Sequence, residues 1–259
     1  MEMIHLNNVS FVRQGKTILE DINWQVKPGE HWVMMGLNGS GKTSILNIIQ
    51  GQNWPTTGKV DILDETFGKT SIPNLQKRIG WVGSTLNTRI NHYQTVEKII
   101  LSGIFSSIGV YQKYTETDLQ AVDQIMKNLD IYDLKGKKYS QCSQGQQQFV
   151  LIARSLVSQP ELLILDEPCN GLDLFATEKL LNKVVELIGS KNGPTIIFVT
   201  HHAEQIMPEF DHTLLLKEGR IFEQGPTQDI LNADKLTAFY DQPVNVVNLE
   251  NNRFLVHLK

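Results

Sequence analysis

The residue pattern specifies an α/β fold with a parallel-sheet core, an antiparallel β subdomain near the N-terminus and a helical insertion in the middle. Three observations carry this reading. Continuous apolar runs at 31–35, 162–165 and 196–199, each bounded by turn residues, suit parallel strands covered on both faces. Between about 87 and 139, apolar residues recur at helical spacing instead. A glycine-rich stretch at 36–43 joins the first apolar run to a helix.

Taken in order, Ile4, Leu6 and Asn8 alternate on one side of an opening strand. Gln14-Gly15-Lys16 marks a hairpin turn and Pro28-Gly29 a second one. The run at 31–35 stops at Gly36, and a helix from about Lys42 to Gln50 follows, closed by Gly51. Val96, Ile99, Ile100, Gly103 and Ile104 share one helical face, and so do Leu119, Val122, Ile125, Met126 and Leu129. The last third alternates again: a strand at 162–165, a helix at 176–188 and a strand at 196–199. Beyond Pro243 the pattern is β-rich, with Arg253-Phe254-Leu255-Val256 as a closing strand. This tail, 243–259, is too short to stand as a domain. The expected organisation is therefore one domain over 1–242, with a helical subdomain at about 87–158, and the short tail.

Composition narrows the functions. A hydrophobic fraction of 41% is enough to bury a core. The 24 basic and 28 acidic residues are dispersed, for a net charge of −4, so nucleic acid is not an expected partner. Two cysteines without metal or framework spacing, Cys142 and Cys169, suit a reducing compartment. The first residues lack a basic stretch followed by an apolar one, so no secretory signal is expected. The most apolar stretch, 95–110, is broken by Glu97, Lys98 and Ser102, so no spanning helix is expected either.

The chemistry concentrates in two places. Gly36-Leu37-Asn38-Gly39-Ser40-Gly41-Lys42-Thr43 fits G-x-x-x-x-G-K-[ST] between a strand and a helix, the context of a phosphate-binding loop. Glycines let backbone N–H groups approach phosphate oxygens, and the helix start adds partial positive charge. Gly36, Asn38, Gly39, Ser40, Gly41, Lys42, Thr43 and Ser44 are the candidate nucleotide-binding residues, with Lys42 on the β- and γ-phosphates and the Thr43 hydroxyl on Mg²⁺. The second place lies 124 residues after Lys42, where an apolar strand delivers Asp166 and Glu167 to its C-terminal edge. Asp166 is the expected second Mg²⁺ residue, and Glu167 the base that polarises the attacking water.

A third set of motifs carries a family resemblance. Ser143-Gln144-Gly145-Gln146-Gln147-Gln148, followed by Ile152-Ala153-Arg154-Ser155-Leu156, resembles the signature of the ABC (ATP-binding cassette) family. Asn170-Gly171-Leu172-Asp173 resembles its D-loop, Thr200-His201 its switch histidine, and Phe11, 25 residues before Gly36, its adenine-stacking aromatic. The resemblance spans most of the chain. It implies a P-loop NTPase cassette that binds and hydrolyses ATP with Mg²⁺ and pairs head to tail with a second, identical cassette. In that pairing Ser143, Gly145 and Gln146 meet the ATP held by the partner's P-loop, and His201 reports the γ-phosphate. It further implies integral membrane permease subunits as partners, a place on the cytoplasmic face of the cell membrane, and a transporter motor, expected to be an importer because fused membrane helices are absent.

The sequence departs from the family at four positions. Cys142 replaces the signature leucine and Gln144 its first glycine. Ser84 stands where the family carries the Q-loop glutamine, and is shorter by two heavy-atom bonds. His202 stands where many members have aspartate. Gly83-Ser84, Leu101-Ser102-Gly103 and the Ser-Gln-Gly signature resemble a molybdate-transport-associated (ModF-like) subgroup. Ser84 keeps open a soluble, non-transport ABC ATPase with a regulatory or repair role, and a small-molecule kinase is a further alternative.

Overall fold

Gln14 and Gly15 both take positive φ, 50° and 76°. Such a pair reverses the chain within two residues and matches the twist of the strands it joins, here β1 (Ile4–Arg13) and β2 (Lys16–Val26). The computed structural model describes residues 2–249 and 252–259, with the backbone alone at Ser84 and Thr85. After β2 come β3 (Trp32–Gly36), α1 (Lys42–Ile49), β4 (Thr57–Ile62), β5 (Glu65–Thr66) and α2 (Ile72–Lys77). The middle of the chain forms β6 (Ile79–Val82), α3 (Ser84–Arg89), α4 (Val96–Ile104), α5 (Glu116–Asn128), α6 (Gln144–Leu156), β7 (Leu162–Asp166) and α7 (Leu174–Ile188). The last part adds β8 (Thr195–Thr200), β9 (His212–Lys217), β10 (Arg220–Pro226), α8 (Thr227–Ile230), α9 (Ala233–Tyr240), β11 (Val244–Asn248) and β12 (Phe254–Leu258). Two compact units result: the chain up to Leu75 together with Thr195–Lys259, and the stretch Gln76–Pro194.

In the first unit, β2, β1, β4 and β5 form an antiparallel sheet. β3 lies between β8 and β9, parallel to both, and β10 pairs antiparallel with β9. Every residue of β3 and of β8 is buried. That is why these strands read as unbroken apolar runs rather than as alternation. The opening strand departs from simple alternation. Its register shifts between Leu6 and Val9, Asn8 is exposed with φ 49°, and the buried series passes from Leu6 to Val9. Asn8 tolerates the left-handed conformation, and its N–H is taken up by the Asn23 side chain at 2.8 Å instead of a ladder carbonyl. β11 and β12 form an antiparallel hairpin of their own.

In the second unit, β6 and β7 pair in parallel. The helical region is less continuous than its periodicity suggests. Residues 105–115 are turn and irregular backbone, and 132–134 and 139–141 are single 3₁₀ turns. α7 begins two residues earlier than read from sequence, because Asp173 caps it: the Ala176 N–H donates to the Asp173 carboxylate at 2.8 Å. Leu174 and Phe175, in its first turn, are exposed and so add nothing to an amphipathic pattern. Among the described residues no helix is long and apolar enough to cross a membrane.

α4 and α6 meet at Gly103, where a Cβ would stand 1.9 Å from the Arg154 carbonyl oxygen. Close approach lets the buried Arg154 guanidinium donate to Ser102 Oγ (3.1 Å) and to the Ser107 carbonyl (2.8 Å). Burial lowers the pKa of Arg154 to about 10. Gly103→Ala places a methyl against backbone that has no rotamer to move. Overpacking of about 3 kcal/mol exceeds the helix-propensity gain of about 1 kcal/mol. The expected outcome is a net loss of about 2 kcal/mol, read as a lower urea midpoint.

Candidate functional site

β3 ends at Gly36 and α1 begins at Lys42, so the loop between them sits at the C-terminal edge of a buried parallel strand. A Cβ on Gly36 would lie 2.5 Å from Ser40 Oγ and 2.7 Å from the Leu216 carbonyl oxygen, so only glycine fits there. Gly41, with φ 109°, ends the loop in a conformation that L side chains rarely adopt. α1 starts with no side-chain cap and no acidic residue in its first turn. Its positive end is therefore not neutralised by its own side chains. The Lys42 ammonium, buried at 7% exposure, donates to the Gly36 carbonyl at 2.6 Å and the Leu37 carbonyl at 3.3 Å. Ser40 Oγ is buried with no hydrogen-bond partner among the described residues. An ammonium, an unpaired hydroxyl and an uncapped helix start around one glycine loop form a cradle suited to a polyphosphate.

The other predicted residues of the first unit gather around this loop. Asn38 and Gly39 form its exposed tip, Thr43 is exposed and Ser44 partly so. Leu19 packs beneath Gly41 and is the cross-strand partner of Phe11, which is itself partly exposed. Met35 stands opposite Thr200 in the β3–β8 pair, so Gly36 and His201 leave the same sheet edge side by side. His201 is exposed and shares a cavity of about 410 Å³ with Leu37 of the loop.

In the second unit, β7 carries four buried residues and delivers Asp166 to its end. Glu167 follows with φ 51°, an uncommon conformation for a β-carbon residue and one that recurs at functional sites. The side chain of Ser84, at the glutamine position, lies outside the described residues. Ser143 caps α6 in a reciprocal box: its hydroxyl accepts from the Gln146 N–H (3.3 Å), and Gln146 Oε1 accepts from the Ser143 N–H (2.9 Å). Gln146 therefore shapes the helix start, a duty signalled by Ser-x-x-Gln and overlooked in the sequence reading. A cavity of about 220 Å³ opens there, lined in part by Ser143, Gly145, Gln146 and Lys179. Gln144, in place of a signature glycine, reaches across to the loop after Glu167. Its Nε2 donates to the Asn170 carbonyl at 3.4 Å and lies 2.3 Å from where a Gly171 Cβ would be.

Both cysteines are buried free thiols. Cys169 is buried and burial pushes its thiol up to about 12; burial also raises Cys142. A thiol held protonated is a poor nucleophile.

The sequence profile described as ABC transporter matches residues 19–170. An ABC transporter ATP-binding protein of Streptococcus mutans is 45% identical over 256 residues, covering 99% of this chain and 98% of that one. ModF of Escherichia coli, an ABC transporter ATP-binding protein, is 36% identical over 82% of this chain and 44% of its own length. The molybdate import ATP-binding protein MolC of Haemophilus influenzae is 28% identical over 93% and 89%. Among solved structures, cbiO1 of Clostridium perfringens, part of the ABC transporter complex cbiONQ, superposes with a TM-score of 0.80 at 27% identity, covering 92% and 93%. The dimeric ATP-binding cassette MJ0796, in a post-hydrolysis state with ADP and Pi, gives 0.74 at 28% identity, covering 86% and 98%.

Gly36→Ala forces the loop backbone off Leu216, and is expected to weaken ATP binding at least about tenfold, the worth of one hydrogen bond to a charged group. Titration with a fluorescent ATP analogue measures it. Cys169 is expected to stay unmodified by Ellman's reagent in the native protein and to react in urea.

Proposed function

Since this chain belongs to the ABC transporter family and is one of its ATP-hydrolysing subunits, we propose that two copies close head to tail over two ATP molecules and drive membrane permease subunits in the import direction. The observation that carries this reading is that one chain holds two helix starts fitted for phosphate. One is α1 behind the Gly36–Gly41 loop, and the other is α6, which has no acidic residue in its first turn and whose Ser143–Gln146 cap leaves the Gly145 N–H outside it. Head-to-tail pairing gives each ATP one of each.

In the proposed reaction Lys42 and the loop N–H groups bind the β- and γ-phosphates, and Phe11 stacks on the adenine. Glu167 accepts a proton from water as the water oxygen attacks the γ-phosphorus. The bond from that phosphorus to the β–γ bridging oxygen breaks, and ADP leaves. Ser143 and the Gly145 N–H of the partner copy neutralise charge on the transferred group, and His201 hydrogen-bonds it. The Thr43 hydroxyl and the Asp166 carboxylate are oxygen donors of the kind Mg²⁺ takes when phosphate supplies the rest, so these residues would hold it, and its charge would offset that of the phosphate oxygens. Loss of the bridging γ-phosphate then lets the pair open.

Transport is supported by the names of the relatives, a molybdate import protein and a part of cbiONQ among them. In this reading the chain works on the cytoplasmic face of the membrane. One observation favours a second reading, a non-transport ABC ATPase: serine at the Q-loop position. The Glu167→Gln variant tests both. It is expected to run as a dimer with Mg-ATP and a monomer with ADP in light scattering. Immobilised with Mg-ATP, it captures a polytopic membrane protein from detergent-solubilised native cells if the chain is a transporter motor. Soluble partners alone favour the second reading. Ser143→Ala is expected to cut ATP turnover at least about tenfold, and undiminished turnover sinks the head-to-tail mechanism.

A further inference from the structure

The turn that carries His201 is closed internally by one buried hydroxyl. Thr200 Oγ1 donates to Gln205 Oε1 at 2.7 Å and accepts from the His202 N–H at 3.0 Å. His202 Nδ1 and Glu204 Oε1 approach to 3.0 Å across the same turn. These contacts set the shape of the turn but not its place. The C-terminal hairpin grips it from outside. Arg253, between β11 and β12, donates from Nε at 3.1 Å and from Nη2 at 2.5 Å to a single acceptor, the Glu204 carbonyl. Two N–H groups of one planar guanidinium converging on one oxygen restrain the displacement of that carbonyl.

Arg253 is itself held. Its own carbonyl accepts from the Leu249 N–H at 2.7 Å, closing the hairpin, whose other end is fixed by Lys259 N–H to the Pro243 carbonyl at 3.0 Å. Leu255 and His257 of β12 border the same 410 Å³ cavity as His201 and Leu37. The hairpin, the turn and Leu37 of the phosphate loop thus surround one space, and among the described residues Arg253 provides a hydrogen-bonding link between hairpin and turn.

We infer that Arg253 is a positioning residue for hydrolysis: it latches the Thr200–Gln205 turn to the C-terminal hairpin and so holds His201 at the γ-phosphate. The inference rests on the proposed role of His201. It gives the tail a function in the catalytic cycle, acting on the switch turn rather than on ATP binding. Displacing a group by about 1 Å from its working position costs up to about a hundredfold in rate, so loss of the latch is expected to act on kcat.

The test compares Arg253→Met, which keeps the apolar stem and removes the donors, with Arg253→Lys, His201→Ala and the Arg253→Met/His201→Ala pair. ATP turnover of the full chain is read, with melting followed by circular dichroism. Arg253→Met is expected to lower kcat about tenfold while KM for ATP stays within about twofold. Arg253→Lys, with an ammonium in place of the fork, falls between. The pair is expected to be no slower than His201→Ala alone, as for residues acting through one group. Hydrogen exchange at 200–206 is expected to quicken in Arg253→Met. If Arg253→Met melts early, exchange in Arg253→Lys decides: quicker than wild type supports the latch and unchanged exchange overturns it. Wild-type kcat in Arg253→Met, with His201→Ala slow, overturns the latch alone, as does a pair slower than His201→Ala by the full Arg253→Met factor. Wild-type kcat in His201→Ala overturns the switch role and the latch with it.

Discussion

The register of β3 against β8 governs the nucleotide end of the first unit. With Met35 opposite Thr200, the chain leaves the sheet at Gly36 and at His201 on the same edge. A slip by one residue would reverse the facing of every side chain on the slipped strand. It would also carry one of the two groups away from that edge. Every residue of both strands is inside, and the parallel ladder pairs Trp32, Val33, Met34 and Met35 with Ile197, Phe198, Val199 and Thr200 without a shift. Hydrophobic burial is non-directional, but confined to strands of this pattern it places polar groups at a sheet edge with hydrogen-bond precision.

The second unit positions its polar groups by different means. Its carboxylates ride on a buried strand, as His201 does, but its signature serine is set by a helix cap. Ser143 and Gln146 satisfy each other across the first turn of α6. Further along the same helix, Arg154 is buried against α4 and reaches Ser102 Oγ on it and the Ser107 carbonyl just beyond it, with Gly103 lacking a side chain at the contact. One helix therefore presents a polar start and anchors a charged interior.

Much of this was legible because its determinants are contiguous. The strand–loop–helix around Lys42 is written within about a dozen residues, and buried parallel strands announce themselves as apolar runs. The Asp166–Glu167 strand end is readable for the same reason. What escaped was non-local or locally ambiguous. Asn8 looks like a member of an alternating strand until the Asn23 side chain takes its N–H. Gln146 takes a second duty as the partner of Ser143 in the cap, which Ser-x-x-Gln spells out. Arg253 meets Glu204 across 49 residues, a distance that no periodicity encodes. Leu174 and Phe175 are helical yet exposed, so the amphipathic signal began two residues late.

Gln144 and Gly171 share one volume. The amide of the first fills the space that a side chain on the second would need. Neither position can then drift by itself: bulk gained at 171 must be given up at 144. The positive φ of Gly171 narrows the choice further, to glycine or to asparagine and aspartate, which tolerate that backbone. Two residues 27 apart in the chain thus behave as a single compound site in its descent. Glycine at 144 would open to the loop after Glu167 the space that the Gln144 amide fills.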